Sequence, residues 1–116
     1  MGAMILRVIR PINERWRRHM LYLVSYDLKD GVPTDYQALY DEFATFDGCI
    51  RCLDSAWLVK SELRSDAICN RLRARMGLHD HIVVVPYDNN RSSWLSNKVV
   101  AWIRENQNQG NRESDT

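Results

Sequence analysis

The chain has 116 residues, 16 Lys and Arg against 15 Asp and Glu, a net charge of +1 and 45% hydrophobic residues. This length fits one domain with an ordinary core, and five Gly and three Pro argue against collagen-like or disordered classes. The charge is uneven, because residues 1–19 carry +4 and the remainder carries −3. We therefore predict a mildly acidic domain after a basic N-terminal arm, residues 1–19, which is a candidate for tag or upstream sequence because Met4 and Met20 are both plausible starts.

The sequence contains no apolar run of the roughly 20 residues that a membrane helix needs. Its longest uncharged apolar stretches are Met20–Tyr26 and Ile82–Tyr87. The basic arm is interrupted by Pro11 and lacks the apolar centre of a signal peptide. The chain has only three cysteines, and a small, odd number is typical of reduced thiols: Cys49, Cys52 and Cys69. We expect a cytoplasmic protein without a membrane partner.

The first half of the domain begins with Met20–Leu28. In this segment Tyr22, Val24 and Tyr26 alternate with Leu21, Leu23 and Ser25, and residues that favour strands are frequent, which predicts a buried strand. A helix follows, whose apolar side chains recur at helical spacing: Tyr36, Leu39, Tyr40 and Phe43. Asp47-Gly48 ends it. Cys49–Leu53 and Ala56–Ser61 then predict two short strands joined by a tight turn at Asp54-Ser55.

The next segment predicts a second helix and a fourth strand. Ser65 and Asp66 can begin the helix, because one offers a capping oxygen and the other a charge that suits the helix dipole. Its apolar ridge is Ile68, Leu72 and Met76, and Gly77 stands where a helix commonly ends. His81–Tyr87 is β-branched and apolar, which predicts a buried strand.

The C-terminal segment predicts a third helix, begun by Ser92 or Ser93, and a flexible tail over 107–116. The apolar residues of this helix share one face: Leu95, Val99, Trp102 and Ile103. The order of elements predicts an α+β domain over 20–106, a ferredoxin-like βαββαβ sandwich with an additional C-terminal helix. The second face of its sheet must be buried in a dimer, used for binding, or covered by that helix.

Asp27 is the first candidate for chemistry, because it directly follows the run Leu21–Tyr26 and so lies at the C-terminal end of the first predicted strand. A carboxylate at a strand end can bind a divalent cation, but one carboxylate alone makes a poor Mg²⁺ site. A two-fold dimer would bring a second Asp27. The alternative, which spacing alone favours, is an aspartate that accepts hydrogen bonds from the following loop.

Three segments resemble a known family: LVSYDL at 23–28, LDSAWLV at 53–59 and DHIVVV at 80–85. They resemble the CRISPR-associated protein 2 superfamily, and more closely its small Cas-two-like members called the SinR family. The resemblance spans roughly residues 20–105. It implies a ferredoxin-like homodimer acting on RNA or DNA, with Asp27 as the catalytic ligand of Mg²⁺ or Mn²⁺ and Ser55 beside the site.

Two features depart from that family. Its nuclease members follow the acid with basic residues, whereas 29–33 here reads KDGVP, and the C-terminus predicts a helix where the family uses a strand. Two hypotheses therefore stand. The first is a metal-dependent endonuclease or ribonuclease, related to toxins or defence, and the second is a non-catalytic dimeric adaptor that binds protein or nucleic acid.

Three arginines at helical spacing, Arg64, Arg71 and Arg75, share a face of the predicted second helix. They could bind the phosphates of a nucleic acid. The alternative is that they solvate the helix and complement its dipole. The acidic domain favours this structural role, because it opposes nonspecific binding to nucleic acid.

The remaining motifs predict structural roles. His79-Asp80-His81 offers too few ligands for a known metal site, and Asp80 suits a cap. Cys49-Ile50-Arg51-Cys52 has the CxxC spacing without the four ligands of structural zinc or the strand-to-helix position of a redox site. Three aromatic residues could stack bases on an open sheet, but the motif of RNA-recognition domains is missing: Tyr22, Tyr26 and Trp57.

Overall fold

The computed structural model describes the backbone of residues 19–29 and 33–115 and the side chains of 19–29 and 36–107. Apart from His19, the predicted basic arm lies outside the described residues. These residues form four strands and three helices: β1 Met20–Asp27, α1 Pro33–Phe43, β2 Gly48–Leu53, β3 Ala56–Ser61, α2 Ser65–Arg73, β4 His81–Pro86 and α3 Asn97–Asp115.

The four strands form one antiparallel sheet in the order β2-β3-β1-β4. In this register, Leu23 of β1 lies opposite Leu58 of β3 on one side and Val85 of β4 on the other. Each of the first two helices thus connects strands that flank a third. The prediction of an α+β domain with a four-stranded antiparallel sheet and three helices is confirmed.

One face of the sheet packs against α1 and α2. Tyr22, Val24 and Tyr26 contribute from β1, because alternate side chains of a strand point to the same face. The ring of Phe43 stacks on that of Trp57, with centroids 4.3 Å apart. The tyrosine hydroxyls are also engaged, since Tyr22 donates to the Leu63 carbonyl at 2.7 Å and Tyr26 accepts from Trp57 Nε1 at 3.0 Å. The two tyrosines are buried in this core, so their rings are not available to stack on bases, which agrees with the absence of the RNA-recognition motif.

The other face of the sheet is covered in part by α3. Val99 and Ile103 of this helix pack with Leu21 and Leu58 in a second core cluster. The helix contacts β1 and β2. Of the three predicted uses of this face, covering by the third helix is the one that the structure contains.

Strand β4 lies at the edge of the sheet, next to β1, whereas α3 packs mainly on β1 and β2. Its side chains alternate between exposed and half-buried, and Val83 and Val85 remain 52% and 40% exposed. The prediction of a buried fourth strand is therefore wrong. A β-branched apolar run has the same sequence pattern at an edge as at the centre of a sheet, and only the path of α3 distinguishes the two here.

The helix ends also differ from the prediction. Helix α3 begins after Ser96, whose hydroxyl accepts a hydrogen bond from the Val99 amide at 3.3 Å. Ser93 instead bonds to the Tyr87 hydroxyl at 2.7 Å. The helix continues to Asp115, past the predicted start of the flexible tail. In the described residues, no helix is both long and apolar enough to cross a membrane.

Candidate functional site

The end of β1 brings the two residues of the family resemblance together. Asp27 is the last residue of this strand, and the turn that holds Ser55 joins β2 to β3 at the same edge of the sheet. The Tyr26 amide donates a hydrogen bond to the Ser55 carbonyl at 3.0 Å, which ties the turn to the strand. His81, the first residue of β4, lies opposite Asp27 in the register. We call this end of the sheet, where β1 stops and β3 and β4 begin, the Asp27 edge; it contains Asp27, Ser55 and His81.

The carboxylate of Asp27 is solvated, with a side chain that is 63% exposed. The ammonium of Lys29 lies 3.4 Å from Asp27 Oδ2, so a cation of the same loop stands beside this carboxylate. Within the described part of the chain, Asp27 belongs to no group of three His, Cys, Asp or Glu ligands. A metal ion here needs ligands from outside the described residues, as a dimer would supply.

Asp80 anchors the backbone next to this edge. Its side chain is buried, with 4% exposure, and it accepts hydrogen bonds from the backbone amides of Lys29 and Gly77, the second at 2.7 Å. It therefore joins the segment after Asp27 to the loop between α2 and β4. The predicted capping role of Asp80 is confirmed, and the flanking His79 and His81 lie at the surface.

Two of the three predicted phosphate-binding arginines are paired with one acid. Arg71 and Arg75 of α2 lie 3.0 and 3.2 Å from the carboxylate of Glu42 in α1. Arg71 also stacks over the Phe46 ring at 4.4 Å. Arg64 precedes the first residue of α2 and lies 3.7 Å from Asp66. Arg71 and Arg75 thus connect the two helices, a role that helix spacing alone did not reveal.

The Glu42 carboxylate should make stability depend on pH. Partial burial acts to raise its pKa, but hydrogen bonds and charge from Arg71 and Arg75 outweigh this and lower the pKa below 4.5. Its contribution is therefore present above about pH 4.5 and lost as the pH falls through the lowered pKa. We expect Glu42→Gln to reduce the free energy of unfolding by about 1 kcal/mol at pH 7, because both arginines are partly exposed.

Urea unfolding at several pH values measures this effect. The difference between Glu42→Gln and the wild type should vanish in acid, below the lowered pKa. Asp41→Asn is the matched control, since Asp41 is an exposed neighbour on the same helix. A difference for Glu42→Gln that stays constant from neutral pH into acid would contradict the ion-pair origin.

The cysteines do not form a metal or redox site together. Cys49 packs on the first core cluster and Cys52 on the second, because residues three apart on a strand point to opposite faces. Burial raises the pKa of both thiols, which keeps them protonated and poorly nucleophilic. The prediction that they are ordinary thiols of a strand agrees with this placement.

The opposite edge of the sheet holds a cluster that the sequence analysis missed. His19, Asp47 and Glu62 flank three different strands, and their ligand atoms all lie within 4.8 Å of one another. No short motif connects these positions, so no local pattern could have found them. The antiparallel pairing of β1 and β2 with β3 brings them together.

Comparison with known proteins gives little beyond this geometry. No model of a protein family matches the chain, and no curated protein is similar to it. A similar solved structure is that of TT1823, a hypothetical protein from Thermus thermophilus, at 19% sequence identity and a TM-score of 0.49. The similarity covers 67% of this chain and 95% of that one. Function therefore has to be argued from the site residues themselves.

Proposed function

We propose that the chain is a cytoplasmic Cas-two-like protein that acts on nucleic acid as a homodimer and cleaves phosphodiester bonds with Mg²⁺ or Mn²⁺ bound at Asp27. The observation that best supports this is the Asp27 edge, where an exposed carboxylate ends a central strand and the preceding residue, Tyr26, donates a backbone hydrogen bond to Ser55 of the adjacent turn. The strand order β2-β3-β1-β4 supports the ferredoxin-like arrangement, because each connecting helix joins strands that flank a third.

The proposal requires a second copy of the chain. Mg²⁺ needs near-octahedral oxygen coordination, so two Asp27 carboxylates across a two-fold axis would hold it better than one. Strand β4, which pairs with Asp27 through His81, has an open edge and exposed Val83 and Val85, which supports contact with another copy. The ion would polarise a phosphoryl oxygen and lower the pKa of an attacking water. Ser55 would hydrogen-bond the phosphate.

The test is cleavage of labelled RNA and DNA oligonucleotides in Mg²⁺ or Mn²⁺, with and without a chelator. We expect Asp27→Ala to lower the rate by at least about a hundredfold, because even outer-sphere partners of a metal site are worth about 10–100-fold. Asp54→Ala is the control, since it removes another exposed carboxylate near the same edge and should leave cleavage unchanged. No metal-stimulated cleavage by the wild type, or equal cleavage by Asp27→Ala, would contradict the proposal.

A second candidate is a dimeric adaptor that binds protein or nucleic acid without cleaving it. It is favoured by the pairing of Arg71 and Arg75 with Glu42, because these two guanidinium groups then hold α1 and α2 together instead of contacting the phosphates of a substrate. Binding by a dimer that persists in a chelator and in Asp27→Ala, without cleavage, would identify the adaptor. Salt-dependent binding lost in Arg71→Glu/Arg75→Glu would place its surface on α2.

A further inference from the structure

Three strands each have one terminus at the edge of the sheet opposite Asp27. His19 directly precedes β1, Asp47 directly precedes β2, and Glu62 directly follows β3. Because β1 and β2 are both antiparallel to β3, the start of each lies beside the end of β3. The sheet therefore positions one imidazole and two carboxylates from backbone that its ladder holds in place.

The distances between these side chains fit a shared metal ion. His19 Nε2 lies 3.3 Å from Asp47 Oδ2 and 3.3 Å from Glu62 Oε2. Charge-assisted hydrogen bonds are shorter, about 2.7–2.9 Å. A tetrahedral Zn²⁺ with bonds of about 2.0–2.1 Å separates its ligands by about 3.3 Å. The two His19 distances lie in the range of an ion pair and also match the spacing of ligands around one ion, and all three ligand atoms lie within 4.8 Å of one another.

The ligand set selects the class of metal. Imidazole nitrogen suits Zn²⁺, whereas Mg²⁺ and Ca²⁺ prefer oxygen ligands alone. Three protein ligands with an open fourth position for water form the arrangement of solvent-accessible zinc sites. The side chains of His19, Asp47 and Glu62 are 37%, 50% and 42% exposed, which leaves room for that fourth ligand.

A cavity borders this cluster on one side. Its volume is about 160 Å³, and its lining combines apolar Met20, Leu21 and Pro86 with polar His19, Asp88 and Asn106. Pro86 ends β4, Asp88 follows that strand and Asn106 lies on α3, so the cavity extends from the cluster toward α3. It provides space next to His19 for a water molecule or a small ligand of the metal.

We propose that His19, Asp47 and Glu62 bind one Zn²⁺ ion per chain, with water in the fourth position. The ion would cross-link the start of β1 and the start of β2 to the end of β3. It would also stabilise the folded state, because the three ligands converge only there. This site is separate from the Asp27 edge and does not depend on the proposed nuclease activity.

The test is a titration of the full chain, free of any histidine tag and kept reduced, with Zn²⁺ by calorimetry and with Co²⁺ by visible absorption. We expect one equivalent of metal, a tetrahedral Co²⁺ spectrum without a thiolate charge-transfer band, and a higher midpoint temperature of unfolding with Zn²⁺. His19→Ala, Asp47→Asn and Glu62→Gln should each weaken binding by at least about tenfold. Asp54→Asn, an exposed carboxylate at the opposite edge, is the control and should bind like the wild type.

Three outcomes would overturn the zinc site. They are no heat or spectral change with either metal, a thiolate band that assigns binding to the cysteines, and affinities of the three variants equal to that of Asp54→Asn. All three ligand residues are partly exposed, so their substitution leaves the core intact, and circular dichroism verifies this. Loss of cleavage in the Asp27 experiment would leave these results unchanged.

Discussion

Asp80→Ala is expected to lower the free energy of unfolding by about 3–5 kcal/mol. The buried carboxylate accepts hydrogen bonds from the amides of Lys29 and Gly77, and a hydrogen bond to a charged group contributes about 1.5–3 kcal/mol. Alanine has no acceptor, so both amides lose their partner. The loss would also free the segment that carries Lys29, next to the carboxylate of Asp27.

Equilibrium unfolding in urea measures this loss. Asp54→Ala removes an exposed carboxylate and should change stability by no more than about 0.5 kcal/mol. Asp80→Asn retains one acceptor oxygen, so its effect should fall between those of the other two variants. A loss below about 1 kcal/mol in Asp80→Ala would show that the two amides find other partners.

Ile103→Asp should detach α3 from the sheet. Ile103 packs with Leu21 and Leu58 on the second face, and its replacement removes a buried apolar side chain while placing a carboxylate among apolar neighbours. We expect a loss of at least about 3 kcal/mol, since truncation of a buried isoleucine alone costs about 2–5 kcal/mol. The exposed face should then bind a hydrophobic dye.

The neighbouring residue offers the matched control for this variant. Arg104 is exposed on the same helix, so Arg104→Asp introduces the same side chain one position away and should leave stability within about 0.5 kcal/mol. Far-ultraviolet circular dichroism, urea unfolding and dye fluorescence compare the two. Equal stability of Ile103→Asp and Arg104→Asp would show that α3 does not hold the second face closed.

The two candidate sites lie at opposite edges of one sheet and differ in what they need. Among the described residues, Asp27 joins no group of three ligands, so the proposed metal site there depends on a second copy of the chain. The His19 cluster assembles three ligands within a single chain. A metal titration and a cleavage assay therefore report on different residues, and the variants Asp27→Ala and His19→Ala separate them.

The order and type of the elements could be predicted from local patterns. Alternation in Met20–Leu28 and helical spacing from Tyr36 to Phe43 each match the observed strand and helix closely. The covering of the second face by Val99 and Ile103 was among the predicted alternatives. The start of α3 was missed, because several serines precede it and only the hydrogen bond of Ser96 distinguishes the one that caps.

The partners of charged side chains were beyond prediction for a physical reason. Arg71 and Arg75 are close in sequence and share a helix face, but their acid, Glu42, belongs to another helix, and only packing of α1 against α2 brings the charges together. Spacing along one element reveals which side chains share a surface, and the element that covers this surface depends on the whole fold.

For this protein, sequence alone determined the α+β element order and the position of Asp27 at a strand end, because hydrophobic periodicity and turn residues act within a few positions of one another. The tertiary structure decided that β4 is an exposed edge, that α3 closes the second face, and that His19, Asp47 and Glu62 meet. Those features depend on which strands pair and in which register. Such pairing is set by contacts between distant parts of the chain, which no local pattern contains.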